Sequence, residues 1–189
     1  ELDYTNPLAS KMNEEYTHLD DTLTTISELK KSGLTSDELL LVLDANDHVI
    51  ETAEPLLARV FNARLSKTTI DQLTPLVDVV RASGEKIALP GITPLSRILA
   101  SSLESAIESA HETNSTKPIT LWRNLWLKKD ETGKFVLKSR VRQAKLRAVS
   151  YVYYQYLARM QEAELYDFDD MILRVVHAME VFPELRLNL

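Results

Sequence analysis

Basic side chains concentrated in one stretch are the residues of this sequence whose chemistry is easiest to interpret. Residues 123 to 147 contain nine lysines and arginines but only two acids, Asp130 and Glu131. This stretch therefore carries a net charge of +7, whereas the whole chain of 189 residues carries −6. Such an asymmetry is typical either of a local site for an anionic partner or of a solvated basic surface.

Aromatic residues interleave with these cations at Trp122, Trp126 and Phe135. Nucleic acids are bound by Lys and Arg near their phosphates and by aromatic rings on which unpaired bases stack. The stretch is therefore a candidate nucleic-acid site, and the candidate residues are Arg123, Lys128, Lys129, Lys134, Lys138, Arg140, Arg142 and Lys145. In the alternative interpretation, the tryptophans anchor the segment to neighbouring helices and the lysines only solvate it.

Residues for ATP hydrolysis or metal binding are not indicated elsewhere in the sequence. A phosphate-binding loop needs closely spaced glycines followed by a lysine, and Gly33, Gly84, Gly91 and Gly133 do not have that spacing. Cysteine is absent, which excludes thiolate ligands and disulfides, and the four histidines are isolated in the sequence. We therefore predict no catalytic residue, no metal site and no cofactor within this chain.

The elements that would position the cations are predicted to be mainly helical. The chain has only four glycines and is rich in good helix formers. Residues 125–129 and 134–138 are β-prone runs around a four-residue turn that ends in Gly133, which indicates a hairpin. Trp122 and Trp126 could instead share one face of a helix. The predicted fold class is mainly α, an irregular helical bundle with one small β-hairpin around residues 125–138.

Helix boundaries in the first third of the chain are indicated by apolar spacing and capping residues. Apolar side chains at three- and four-residue steps predict a helix over residues 8–29, which Gly33 should end. Thr35 and Glu38 have the spacing of a capping box at the start of the next helix. Residues 44–47 are typical of a turn.

Two further helices are predicted near the end of the sequence. Leu146, Val149 and Tyr153 begin an apolar stripe that continues to Met160. Asp167 is a suitable N-cap for the following helix. The buried face of that helix is predicted to consist of Phe168, Met171, Ile172, Val175, Val176 and Met179.

The sequence at 166–172, Tyr-Asp-Phe-Asp-Asp-Met-Ile, resembles a segment of UvrD/Rep/PcrA-type superfamily 1 DNA helicases. In that family, a tyrosine-rich helix, matched here by residues 151–156, leads to an Asp-Phe-Asp-Asp helix just ahead of the second ATPase motif. A short segment with proline follows, matched here by residues 183–189. The match is specific over about residues 140 to 189.

The resemblance implies that residues 1–189 are an accessory, 1B-like subdomain inserted in the first motor domain of a DNA helicase. Residues 1–140 would be a variable helical insert with the hairpin, and residues 141–189 would be the family-like helices. The parent enzyme would use ATP and Mg²⁺ in DNA repair, with its ATPase motifs outside this chain. The implied partners are DNA at a single-strand/duplex junction and the other helicase domains.

Two expectations concern location, and one alternative function stays open. No apolar run approaches the ~20 residues needed to span a bilayer, and the lack of cysteine suits a reducing compartment. We therefore expect a cytoplasmic protein without a membrane partner. The alternative function is a helical protein–protein interaction module whose basic segment binds an acidic partner.

Overall fold

Seven α-helices and two short hairpins make up the part of the chain that the computed structural model describes, residues 3, 5–84 and 91–187. The helices are α1 (Leu19–Lys31), α2 (Ser36–Phe61), α3 (Lys67–Ala82), α4 (Leu95–Glu112), α5 (Lys117–Trp126), α6 (Ser139–Glu162) and α7 (Phe168–Val181). The antiparallel pairs are β1 (Lys11–Met12) with β2 (Glu15–Tyr16), and β3 (Leu127–Lys129) with β4 (Phe135–Leu137). A 3₁₀ helix, Pro183–Leu187, follows α7. The prediction of a mainly α fold with a hairpin within residues 125–138 is confirmed.

The chain divides into two compact units. The terminal unit comprises Glu1–Leu40 and Lys145–Leu189, and the central unit comprises Leu41–Ala144. The predicted division near residue 140 rests on the family resemblance, which is a different criterion, and it stays a prediction.

The central unit has the larger hydrophobic core. Within it, α3 packs against α4 and α4 packs against α5. Leu57, Leu73 and Leu99 from α2, α3 and α4 are completely buried, and the hairpin adds Leu127 and Leu137 to the same core. Burial of this apolar area is the main term that stabilises helices whose individual propensities are weak.

The terminal unit has a smaller core, formed by Leu8, Ile26, Val149 and Tyr153. The tyrosine hydroxyl donates to the carbonyl oxygen of Leu34 at 3.2 Å, so its polar end is satisfied. Part of the predicted α6 stripe therefore faces this core.

Short-range capping signals in the sequence correspond to real helix ends. Gly33 has a φ of +69°, and its N–H donates to the carbonyl oxygen of Lys30 at 2.8 Å, as expected where a helix ends in the left-handed region. Thr35 Oγ1 accepts from the N–H of Glu38, and the Glu38 carboxylate accepts from the N–H of Thr35 in return. Asp167 and Asp170 form the same reciprocal pair at the start of α7. These three predictions are confirmed.

The predicted helix over residues 8–29 is wrong in its first half. Residues 11–16 form the β1–β2 hairpin, and α1 begins only at Leu19. The hairpin turn holds Asn13 and Glu14 at φ values of 52° and 69°. Left-handed residues of this kind cannot continue a right-handed helix, so helical spacing of apolar residues does not produce a helix here.

The predicted turn at residues 44–47 is also wrong, because α2 is continuous through it. Leu43 on one side and Val49 and Ile50 on the other are almost fully buried. Packing of these side chains outweighs the low helix propensity of the intervening Asp and Asn residues.

The predicted buried face of α7 is wrong for the described chain. No residue of α7 is fully buried, and Phe168, Met171 and Val175 are more than half exposed. The described contacts of α7 are with α1 and with the 3₁₀ helix that follows it. None of the helices among the described residues combines the length and the apolar character needed to cross a membrane.

Candidate nucleic-acid interface

Helix α5 places two tryptophans at the start of the basic stretch, Trp122 in the core of the central unit and Trp126 against that core. Trp122 is 4% exposed, stacks on Phe61 with ring centroids 5.8 Å apart, and donates its indole N–H to Ser102 Oγ at 2.9 Å. Trp126 lies one helical turn later and packs against Trp122 at 6.4 Å. Both tryptophans therefore anchor the segment, as one of the two sequence interpretations has it.

The register of the hairpin separates its residues into two faces. Leu127 pairs with Leu137 and is buried with it, while Lys129 pairs with Phe135 two residues further along. Side chains alternate along a strand, so Lys129 lies on the same face as Leu127 but beyond the core, near the hairpin tip. The exposed Lys128 lies on the opposite face.

The tip of the hairpin is held by one carboxylate. Asp130 Oδ1 accepts hydrogen bonds from the N–H and the hydroxyl of Thr132, at 2.8 and 2.7 Å, and from the N–H of Lys134 at 2.9 Å. The Thr132 hydroxyl bond, with the backbone bonds, lowers the pKa of Asp130. Gly133 completes the turn at a φ of +80°, where a side chain would add strain. These bonds fix the backbone of the turn at Lys134.

A polar cleft of about 500 Å³ lies between the hairpin tip, α5 and the end of α2. Its lining residues are Phe61, Asn62, Arg123, Lys129, Thr132, Gly133, Lys134 and Phe135. The lining contains three cations and no carboxylate. Among the described residues, none of the acids forms an ion pair with Arg123, Lys129 or Lys134. An anion in the cleft would therefore meet three cations that form no ion pair with the described acids, although Asp130 in the turn interacts electrostatically with Lys134.

The cations of the cleft are organised around one aromatic ring. The guanidinium carbon of Arg123 lies 5.3 Å from the centroid of Phe135, and Lys129 Nζ lies 5.5 Å from it. Phe135 in turn meets Phe61 edge-on, with centroids 6.4 Å apart. Contacts of this type hold cations close to an aromatic face, so the ring brings together two charges that lie six residues apart in sequence.

Two of the predicted site residues have structural partners. Lys138 Nζ donates to the carbonyl oxygen of Asn124 at 2.6 Å, in the last turn of α5. The guanidinium of Arg140 donates to Glu54 Oε1 at 2.9 Å, and the other Glu54 oxygen accepts from the N–H of Leu137. These cations tie the ends of the hairpin to α5 and α2.

The remaining predicted site residues do not line the cleft. Lys128 and Arg142 are exposed in the central unit. Lys145 belongs to the terminal unit, where its Nζ lies 3.3 Å from Nε2 of His18. Of the eight candidates, the structure brings Arg123, Lys129 and Lys134 together in one cleft.

Two residues of the cleft, Phe61 and Asn62, were not predicted from the sequence. They lie at the end of α2, more than 60 positions before the basic stretch, and no local pattern connects them to it. Glu54, which fixes Arg140, was missed for the same reason. Only the packing of α2 against the hairpin reveals these contacts.

A second polar cluster lies in the terminal unit and involves Lys30, Tyr156, Asp167 and Asp170. Lys30 is 2% exposed, and its Nζ lies 2.6 Å from Asp167 Oδ2 and 2.7 Å from Asp170 Oδ1. Tyr156 donates its hydroxyl to Asp167 at 2.8 Å, and its ring lies under Lys30 Nζ. This cluster fastens the start of α7 to α1.

The electrostatics of this cluster favour its charged state. Burial disfavours the charge on Lys30, but hydrogen bonds to Asp167 and Asp170 outweigh it and raise the pKa of the ammonium. Burial also opposes ionisation of Asp167, yet its bonds to Lys30, Asp170 and Tyr156 hold its pKa far below the usual range. The sequence identified Asp167 as a helix cap but gave no sign of its partner on α1.

Metal-ligating side chains are not gathered into any group of three or more among the described residues. Comparisons with family models, with curated proteins and with solved structures found no match for the chain.

Proposed function

We propose that this chain is a DNA-contacting accessory region of a UvrD/Rep-type helicase, and that the cleft at the hairpin tip contacts the DNA. The observation that carries the DNA contact is the convergence of Arg123, Lys129 and Lys134 on a cleft with no acidic lining. The helicase assignment is supported by the resemblance at residues 140–189. ATP and Mg²⁺ would be handled by other domains of a cytoplasmic parent enzyme acting in DNA repair.

The charge distribution of the chain supports a confined DNA contact. The chain carries −6 overall, so most of its surface repels a polyanion. A basic cleft on such a background would orient nucleic acid, because counterion release is favoured where cations are concentrated.

The proposal is tested by fluorescence anisotropy with a labelled forked DNA and a charge-reversal variant of the cleft, Lys129→Glu/Lys134→Glu. We expect its affinity at low salt to fall by at least about tenfold, since each lysine contact is replaced by repulsion. Arg140 and Lys138 are left intact because their bonds to Glu54 and Asn124 support the hairpin itself.

The matched control is Lys31→Glu/Lys117→Glu, which changes the net charge equally at two exposed lysines outside the cleft. Its affinity should change much less than that of the cleft variant. Equal losses in the two double variants would show that total charge, and not the cleft, determines binding. Unchanged affinity in the cleft variant would refute the proposed site.

A helical protein–protein interaction module is the second candidate, and the exposed apolar side of α7 favours it. Phe168 is 71% exposed, and Met171 and Val175 are more than half exposed. Large exposed apolar patches are typical of interaction surfaces. The partner of this candidate would be acidic and would bind the basic segment, so a labelled poly-glutamate peptide of the same charge as the DNA discriminates between the two. Tighter binding of the peptide than of the DNA at equal salt would favour this candidate.

A further inference from the structure

Aromatic rings near the cleft are already occupied by protein groups. Trp122 is buried against Phe61, and its indole N–H is bonded to Ser102. Trp126 packs against Trp122 and is half-buried. Neither ring lines the cleft.

Phe135 is the one aromatic residue of the cleft that is not fully buried. Arg123 and Lys129 both lie over its ring, and its remaining aromatic contact is with Phe61. A base stacking on a ring face that these cations cover would have to displace at least one of them, and that cation's attraction to the ring would be lost.

The polar groups that remain in the cleft suit phosphate better than a base edge. Arg and Lys offer only donors, and phosphate oxygens are their strong acceptors. Asp130 does not line the cleft, and its Oδ1 already accepts three hydrogen bonds within the turn. Base edges carry donors as well as acceptors, and only the uncharged side chains of Asn62 and Thr132 offer acceptors in the lining, against three cations that suit phosphate.

We infer that the cleft of Arg123, Lys129 and Lys134 binds the phosphate backbone of nucleic acid without stacking on its bases. This inference rests on the proposed DNA contact and specifies its chemistry. The cleft then binds DNA independently of sequence, and two of its three cations, Arg123 and Lys129, are held near the ring of Phe135.

The first test uses the unmodified chain and two labelled single strands with the same number of phosphates, one normal and one fully abasic. Phosphate binding predicts that the two affinities agree within about twofold. Stacking of even one base would make the normal strand bind about 5- to 150-fold more tightly. A preference of that size would overturn the inference.

The second test compares the salt dependence of binding for the chain and for Lys129→Gln/Lys134→Gln. Each lost phosphate contact should reduce the slope of log K against log salt by about 0.9 on duplex DNA and about 0.7 on single strands. The control is Lys31→Gln/Lys117→Gln, whose slopes should equal those of the unmodified chain.

The outcomes separate failure of the inference from failure of the proposed function. If Lys129→Gln/Lys134→Gln keeps the full slope on every probe, the cleft does not contact DNA and the proposed site itself fails. If that variant shows the reduced slope of log K against log salt, but the unmodified chain binds the abasic strand at least fivefold more weakly than the normal strand, DNA binds at the cleft with base stacking. In that case only the inference of a phosphate contact is overturned.

Discussion

Replacing Lys30 with methionine should destabilise the terminal unit, because it removes the only cation of the Lys30–Asp167–Asp170 cluster. The side chain is 2% exposed, and its Nζ bonds to both carboxylates. Methionine fills a similar volume, so the main effect is electrostatic. Asp167 and Asp170 would be left close together without a counter-charge.

The magnitude follows from the burial of the two acids. Removing one partner of a fully buried ion pair costs about 3–5 kcal/mol. The Asp167 and Asp170 side chains retain 33% and 18% exposure, so water offsets part of that cost. We therefore expect a loss of about 2–3 kcal/mol in the free energy of unfolding at neutral pH.

Urea unfolding followed by a tryptophan signal and a tyrosine signal shows which of the two units the substitution destabilises. Both tryptophans lie in the central unit, whereas Tyr153, Tyr156 and the Lys30 cluster lie in the terminal unit. The Lys30→Met variant should lower the urea midpoint of the tyrosine signal by roughly 1–2 M. The tryptophan signal should shift less if the units unfold separately.

Lys31→Met is the matched control, since Lys31 is the exposed neighbour on the same helix. Its free energy of unfolding should stay within about 0.5 kcal/mol of that of the unmodified chain. An equal midpoint for Lys30→Met and the unmodified chain would refute the conclusion that this cluster holds α7.

The pH dependence of the same difference provides an independent check. The folded pKa of Asp167 is depressed, so its contribution is fully present above the ordinary value of 3.8 and is lost as pH falls below it. The folded pKa of Lys30 is raised, so its contribution is present below 10.5 and is lost at higher pH. The stability gap between the chain and Lys30→Met should therefore be constant near neutrality and narrow below pH 3.8. A gap that widens in acid would contradict this.

Further predictions concern the central unit. Glu54→Gln should lower its stability by about 1–2 kcal/mol, because the charge-assisted contact between the mostly buried Glu54 and the largely exposed Arg140 is lost; urea unfolding followed by tryptophan fluorescence measures it. Glu104→Gln, which breaks an exposed ion pair with Arg81, should lower the free energy of unfolding by less than about 1 kcal/mol. Equal losses in Glu54→Gln and Glu104→Gln would contradict the assigned role of Glu54. Gly84→Ala should lower the free energy of unfolding by about 1–3 kcal/mol, because its Cβ would clash with the side chain of the buried Ser96. Thermal unfolding measures this, and an unchanged melting temperature would contradict the clash.

Local features of this protein could be predicted from its sequence because they depend on residues three or four positions apart. The capping pairs Thr35–Glu38 and Asp167–Asp170, the helix end at Gly33 and the hairpin near Asp130 are all of this kind. Each is decided by hydrogen bonds and backbone sterics within one turn of chain. The basic character of residues 123–147 could also be predicted, because counting charges in a segment needs no tertiary contact.

The roles of individual cations could not be predicted, because they depend on partners distant in sequence. Arg140 is bound by Glu54, 86 positions away, and Lys30 by Asp167, 137 positions away. In the sequence, Lys30 is only a basic residue in the last turn of a helix, a common surface position. Burial among acids, and hence its effect on stability, is determined by the packing of α7 on α1.

Periodicity identified apolar faces but not what covers them. Leu8 is buried without belonging to a helix, and α7 has an apolar stripe whose members, such as Phe168, stay exposed. Apolar spacing is a property of one segment, whereas burial requires a second surface at the right distance. The sequence by itself thus determined the helix ends at Gly33, Thr35 and Asp167, the hairpin near Asp130 and the charge of this protein. The tertiary structure decided which charges are neutralised and which three converge on the cleft, because ion pairs and cavities form only where separate segments pack together.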